Sequence, residues 1–255
     1  MIAHRGASGL APENTLAAIE LAIDLGVDMV EADVTVAREG EPVVIHDETL
    51  ERTTDGSGRV LDTPLAALRA LDAGAWFDDA FAGQRVPTLD EVLALADGRV
   101  VLNLEIKTES LRLDPDEVVR TPPPGGVVAR LVDTVRRRDL GEAVLVSSFD
   151  PRALMQLRTL APEIRCAALY TPRVHDGLTP SQIAAQAGSC ALHLTSSQAT
   201  PARVEAAHRA GLAVMVYSTR RAPVNDAAAM WPILGRGVDG ICTDRPDRFL
   251  ELLRG

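Results

Sequence analysis

Glu31 and Asp33 in "MVEADV" stand two residues apart, and Asn103, Glu105 and Lys107 repeat the spacing in "VVLNLEIK". In an extended strand this period places the polar side chains on one face. Val30, Ala32 and Val34, and likewise Leu102, Leu104 and Ile106, take the other face. The apolar faces should meet helices, and the polar faces should then point into the interior, where an unpaired carboxylate is costly. Three converging carboxylates repel one another unless a cation neutralises them. A hard divalent ion, Mg²⁺ or Ca²⁺, suits an all-oxygen set better than zinc, since no His or Cys shares those faces. Pairing with interior arginines, or a place at a solvated strand end, would satisfy the same carboxylates without a metal.

Two histidines stand where they could move protons over such a site. His4 ends the apolar start "IAHR", beside Arg5, and His46 ends the return arm of a hairpin expected around Glu39-Gly40 in "AREGEPVVIHDE". Singly, each reads as readily as a structural histidine. Together they form a proton-transfer pair on either side of a metal, with Arg5 available to a phosphate's oxygens. His193 is a weaker neighbour at a third strand end, while His175 and His208 read as loop and helix residues without a role. Lys107 is singular: among 26 Lys and Arg it is the chain's one lysine. A compact ammonium at an inward-facing position suits a crowded site better than the wide guanidinium fork used everywhere else.

The elements needed to position these residues are legible. Short β-rich runs, "IAHR", "MVEADV", "VVLNLEIK", "AVLVSSF", "RCAALY", "ALHLTS", "LAVMVYS" and "DGICT", alternate with amphipathic stretches. The first such stretch carries Leu16, Ile19 and Ile23 on one face between a possible Asn14 cap and a stop at Gly26. Eight such units in 255 residues predict one α/β domain over residues 1–255, a closed (β/α)8 barrel with its site at the C-terminal ends of the strands. An open doubly wound sheet is the alternative. Residues 47–98 make an oversized connection with two helical patches, a small insertion capping the barrel mouth. Residues 108–126, polar and rich in Pro and Gly, read as a loop or lid.

Composition narrows the partners. No apolar run of about 18 residues is present, and Met1 leads directly into the His-Arg pair, so a cytosolic protein with no integral membrane segment is expected. Cys166, Cys190 and Cys242 read as small buried hydrophobes in a reducing compartment. A formal charge of −10 argues against nucleic acid.

These residues lie in segments that, in order, span nearly the whole chain: "IAHRGASGLAPENT", "VEADVTVAREGEPVVIHDETLERTTDGSG", "LNLEIK", "VLVSSFD" and "GVDGICTDRPD". As a set they resemble the glycerophosphodiester phosphodiesterase family. The resemblance implies a TIM-type barrel, one divalent cation held by Glu31, Asp33 and Glu105, and His4 and His46 as the acid/base pair. It further implies phosphate binding by Arg5 and Lys107, and hydrolysis of a small-molecule phosphodiester to glycerol 3-phosphate and an alcohol. Ala32 stands where the family often has a larger apolar residue, and Tyr217 where a tryptophan often lines the glycerol side. A related phospholipase D-like lyase stopping at a cyclic phosphate, or a protein that binds a phosphodiester without turning it over, are the rival readings.

Overall fold

Eight parallel strands close on themselves in the computed structural model, which describes residues 1–107, 126–219 and 223–254. The strands are β1 (Ile2–Ala3), β2 (Met29–Val36), β3 (Pro42–Val44), β4 (Val101–Ile106), β5 (Val144–Ser148), β6 (Arg165–Leu169), β7 (Ala191–Thr195), β8 (Ala213–Tyr217) and β9 (Gly240–Thr243). Each neighbour from β4 to β9 pairs in parallel, and β1 completes the ring by pairing with both β2 and β9. The open sheet is therefore excluded. β3 is the antiparallel return arm on β2, with Val34 opposite Val44 and Val36 opposite Pro42, and Gly40 takes the positive φ the turn needs. It carries the chain back to His46.

Alternation sorts the side chains. Val30, Ala32 and Val34 of β2 and Leu102, Leu104 and Ile106 of β4 are buried in the main core, between sheet and helices. Each of the larger ones stabilises the fold by about 1.5–3 kcal/mol through burial. Opposite them, Glu31 is in register with Asn103 and Asp33 with Glu105, on the inward face. At the other end of the barrel the interior narrows to Leu145, Ala167 and Ala191, with Met29 and Ala213 packed on them. Gly240 belongs to this taper, since a Cβ there would lie 2.6 Å from the Met215 sulfur.

The helices are α1 (Leu16–Asp24), α2 (Leu65–Leu68), α3 (Leu89–Ala96), α4 (Val127–Arg137), α5 (Pro151–Leu160), α6 (Pro172–His175), α7 (Pro180–Ala187), α8 (Pro201–Arg209), α9 (Ala227–Leu234) and α10 (Pro246–Arg254). Among the described residues no helix is long and apolar enough to cross a membrane. Thr15, not Asn14, caps α1: its hydroxyl accepts from the Ala18 N–H, while Asn14 sits at φ +58° with its amide turned to Asp33. Of the helical patches expected within 47–98, α3 packs on α1 and α4 as a helix of the outer ring, started by a Thr88–Glu91 capping box. The rest of that segment encloses a second, smaller core of Ala37, Val43, Ile45, Leu50, Val60, Leu68, Ala73 and Val86. Of the expected lid, only Gly126 falls within the described residues, as the N-cap of α4. Two further readings are corrected. Cys190 is exposed, one residue before β7 begins, whereas Cys166 and Cys242 are buried. His175 closes α6 and is buried in a stack against Tyr170.

Candidate active site

The three carboxylates meet. One oxygen from each of Glu31, Asp33 and Glu105 lies within 4.8 Å of the others. Asp33 accepts from the Asn14 amide at 2.8 Å and faces Lys107 Nζ at 3.3 Å, and Lys107 also donates to Glu105 at 2.9 Å. The Arg5 backbone N–H donates to Glu31 Oε2, leaving Glu31 Oε1 buried with no partner among the described residues. Burial pushes Glu31 well above the usual carboxylate range, and the charges of Asp33 and Glu105 add to it. Burial also works against an ionised Asp33, but Lys107 and Arg5 outweigh it and hold that carboxyl far below its ordinary value. Two side-chain cations thus face three acids, one of whose oxygens is orphaned. This donor set fits a hard divalent cation.

Local backbone geometry aims Arg5 at this cluster. Arg5 sits at φ +56° and Gly6 at φ +79°, and a Cβ on Gly6 would lie 2.5 Å from the Ala18 carbonyl carbon. The left-handed turn costs about 1–3 kcal/mol at a non-glycine residue. Bonds from Arg5 N–H to Glu31 and from Asn14 N–H to the Arg5 carbonyl offset it. Arg5 Nη1 then donates to Glu13 at 2.7 Å, with Nε 3.2 Å from Asp33.

Both histidines are held by Nδ1. His4 Nδ1 pairs with Asp244 Oδ1 at 2.6 Å, and Asp244 also accepts from Ser8, Ser218 and Asn225. His46 Nδ1 pairs with Asp47 Oδ1 at 2.5 Å. A carboxylate on Nδ1 fixes the tautomer and leaves Nε2 to exchange a proton. His4, His46, Arg5, Lys107, Glu31 and Glu105 all line one cavity of about 860 Å³, and Tyr217 forms part of another wall in edge contact with Phe149. Burial, with the charge of Glu105, pushes the Tyr217 phenol up to about 12, so it remains a hydrogen-bond donor.

His193 points into the same cavity, but its Nε2 has no partner among the described residues, and burial pulls its pKa down from 6.5 to about 4. Its folded value lies below its unfolded one. The neutral form therefore stabilises the fold fully above pH 6.5, and that stability is lost as pH falls toward 4. Chemical denaturation of His193→Met is expected to lose less stability than the unsubstituted protein between pH 7 and 4, by up to about 3 kcal/mol. Equal losses in both would show that His193 does not titrate there.

A model of the glycerophosphoryl diester phosphodiesterase family matches residues 4–248. The chain belongs to that family. It is a phosphoric diester hydrolase. A glycerophosphodiester phosphodiesterase of Caldanaerobacter subterraneus subsp. tengcongensis is 35% identical over 255 residues, covering 100% of this chain and 97% of the relative. One from Bacillus subtilis is 31% identical over 272 residues, covering 100% and 86%. Among solved structures, an Oleispira antarctica phosphodiesterase in complex with the product sn-glycerol-3-phosphate superposes with a TM-score of 0.86 at 31% identity, covering 100% of this chain and 96% of that one. A glycerophosphodiester phosphodiesterase from Agrobacterium tumefaciens superposes with a TM-score of 0.80 at 35% identity, covering 97% of each chain.

The cavity of this phosphodiesterase-family barrel contains every residue singled out in the sequence for the metal, the proton transfers and the substrate except Asp33, which lies just beneath its wall. Sequence reasoning missed the groups that hold them: Asp244 behind His4, Asp47 behind His46, and Glu13, Asn14 and Arg52 around Arg5 and Asp33. Asp47 was the most accessible of these, standing next to His46. Asp244 is 240 residues from His4, and only closure of β9 onto β1 brings it there.

Proposed function

We propose that this enzyme hydrolyses glycerophosphodiesters to glycerol 3-phosphate and an alcohol, with His4 and His46 as the proton-transfer pair and a divalent cation, Mg²⁺ or Ca²⁺, held by Glu31, Asp33 and Glu105. The observation that carries the reading is that two histidines, each held through Nδ1 by a carboxylate, line the same cavity as the acidic cluster and its two cations. When bound, the metal ion supplies Lewis-acid stabilisation of charge on the phosphoryl oxygens. Arg5 and Lys107 bind the non-bridging oxygens and oppose the charge that builds up as phosphorus is attacked. One histidine takes the proton of the attacking hydroxyl, and the other delivers a proton to the departing alkoxide. Tyr217, a protonated phenol on the apolar wall, faces the glycerol moiety. The attacking oxygen is that of water or of the substrate's own glycerol 2-hydroxyl, and phosphorus NMR of the products distinguishes direct hydrolysis from passage through a cyclic phosphate.

Lys107 tests the phosphate contact. Its ammonium lies 3.3 Å from Asp33 and 2.9 Å from Glu105 on the cavity wall, a placement that a wider, planar guanidinium would not reproduce atom for atom. Steady-state kinetics are expected to show Lys107→Arg down about tenfold in kcat/KM and Lys107→Met down on the order of 10²-fold. Full activity in Lys107→Arg would remove the ammonium from the site.

A further inference from the structure

Behind His46 lies a chain of ion pairs that the acid/base reading does not use. Arg52 Nε donates to Asp47 Oδ2 and its Nη2 to Asp47 Oδ1 at 3.1 Å, so that one guanidinium edge grips the carboxylate that holds His46. Its terminal nitrogens also donate to both oxygens of Glu13, at 2.7 and 2.8 Å. Glu13 in turn receives Arg5 Nη1 at 2.7 Å, and Arg5 reaches Asp33 and Glu31. The path runs His46–Asp47–Arg52–Glu13–Arg5, from a proton-transfer group to a phosphate-binding one.

Three separate parts of the chain contribute. Glu13 comes from the loop after β1, His46 and Asp47 from the end of the hairpin, and Arg52 from the segment that builds the second core. Leu50, buried in that core, anchors the turn that presents Arg52, and Thr54 closes it by bonding the Leu50 carbonyl and the Gly56 N–H. Glu13 and Asp47 reach the cavity wall, whereas Arg52 stands behind them, outside the lining residues, so Arg52 acts only through its neighbours. The two carboxylates and two guanidiniums sum to zero charge. Burial works against an ionised Asp47, but its bonds from Arg52 and His46 hold it far below the ordinary range. The fork matters as well as the charge: four N–H bonds to two carboxylates fix both in one plane, as an ammonium would not.

We propose that Arg52 and Glu13 are positioning residues of the phosphodiester reaction. Arg52 clamps Asp47 and so orients His46, and Glu13 ties that clamp to Arg5, making the proton-transfer group and the phosphate-binding cation one unit. The proposal rests on the reading of His46 and Arg5 given above. It also assigns a task to the segment after the hairpin: to deliver one guanidinium to the back of the site.

The test is a cycle of Arg52→Lys and Arg52→Gln with His46→Ala, assayed on a glycerophosphodiester at saturating Mg²⁺ or Ca²⁺, with melting followed by circular dichroism. Long incubations make the residual rate of His46→Ala measurable. Arg52→Lys is expected to lower kcat about tenfold, and Arg52→Gln up to about 100-fold, with KM changed about twofold or less. In the His46→Ala background the same Arg52 substitutions are expected to cost about twofold or less, because their effect runs through the missing imidazole. A merely structural arginine would lower the rate equally in both backgrounds, and that result overturns the proposal, as does wild-type kcat in Arg52→Lys. Glu13→Gln, which keeps the shape and removes the charge joining the two arginines, is expected to lower kcat and raise KM together; unchanged kinetics there also overturn it. Absence of turnover in the unsubstituted enzyme would defeat the phosphodiesterase reading itself and the proposal with it.

Discussion

Replacing either His4 or His46 with Ala is expected to slow turnover of a glycerophosphodiester on the order of 10²-fold or more, because in the proposed mechanism each transfers a proton as the phosphorus–oxygen bonds change. The two losses should be distinguishable. An activated aryl phosphodiester expels an anion that scarcely needs protonation, so loss of the acid hurts it little, whereas loss of the base hurts both substrates. Burial, together with Arg5 and Lys107, holds the His46 imidazole below its ordinary value against the pull of Asp33 and Asp47. That direction favours the neutral imidazole at His46, the form the proposed mechanism requires of its base. The aryl substrate is therefore expected to restore much of the rate in His4→Ala and little in His46→Ala. For the unsubstituted enzyme the rate should rise and then fall with pH, with limbs that belong to the coupled pair. Near-normal turnover of the natural substrate by either single variant, with folding intact by circular dichroism, would contradict the two-histidine mechanism.

Removing the proposed divalent cation is expected to have a larger effect still. Without it, Arg5 and Lys107 face three acidic groups, and Glu31 is left with a buried oxygen that has no partner among the described residues. Dialysis against EDTA is expected to reduce turnover about 10³-fold or more, and Mg²⁺ or Ca²⁺ to restore it. Glu31→Gln and Glu105→Gln each turn one proposed anionic ligand of the cation neutral, and should weaken metal affinity at least about tenfold by calorimetry. Full activity after chelation, with no metal found by elemental analysis, would leave the acidic cluster to be neutralised by Arg5 and Lys107 alone.

Much of this site could be read before any coordinates because β-strand alternation is a local rule. Glu31, Asp33 and Glu105 had to share an inward face once Val30, Ala32, Val34, Leu102, Leu104 and Ile106 claimed the outward one, and the barrel puts Asp33 in register with Glu105. His46 was traceable for the same reason, since the hairpin length fixes where the return arm ends. What escaped were relations set by closure and by turns. Asp244 meets His4 because β9 pairs with β1, a contact no local pattern encodes. Asn14 looked like a helix cap by residue type, yet its left-handed backbone turns the amide onto Asp33 and leaves capping to Thr15. Cys190 sits in an apolar run like its two counterparts, but falls at the rim where the strand begins, and exposure there depends on the barrel's depth.

The most direct test of the two-histidine phosphodiesterase mechanism is phosphorus NMR of a glycerophosphodiester incubated with the purified enzyme and Mg²⁺ or Ca²⁺, run beside the His4→Ala/His46→Ala double variant. The diester resonance is expected to give way to that of glycerol 3-phosphate with the unsubstituted enzyme, and to persist with the double variant. A diester signal unchanged by the unsubstituted enzyme, or equal conversion by the double variant, would contradict that mechanism.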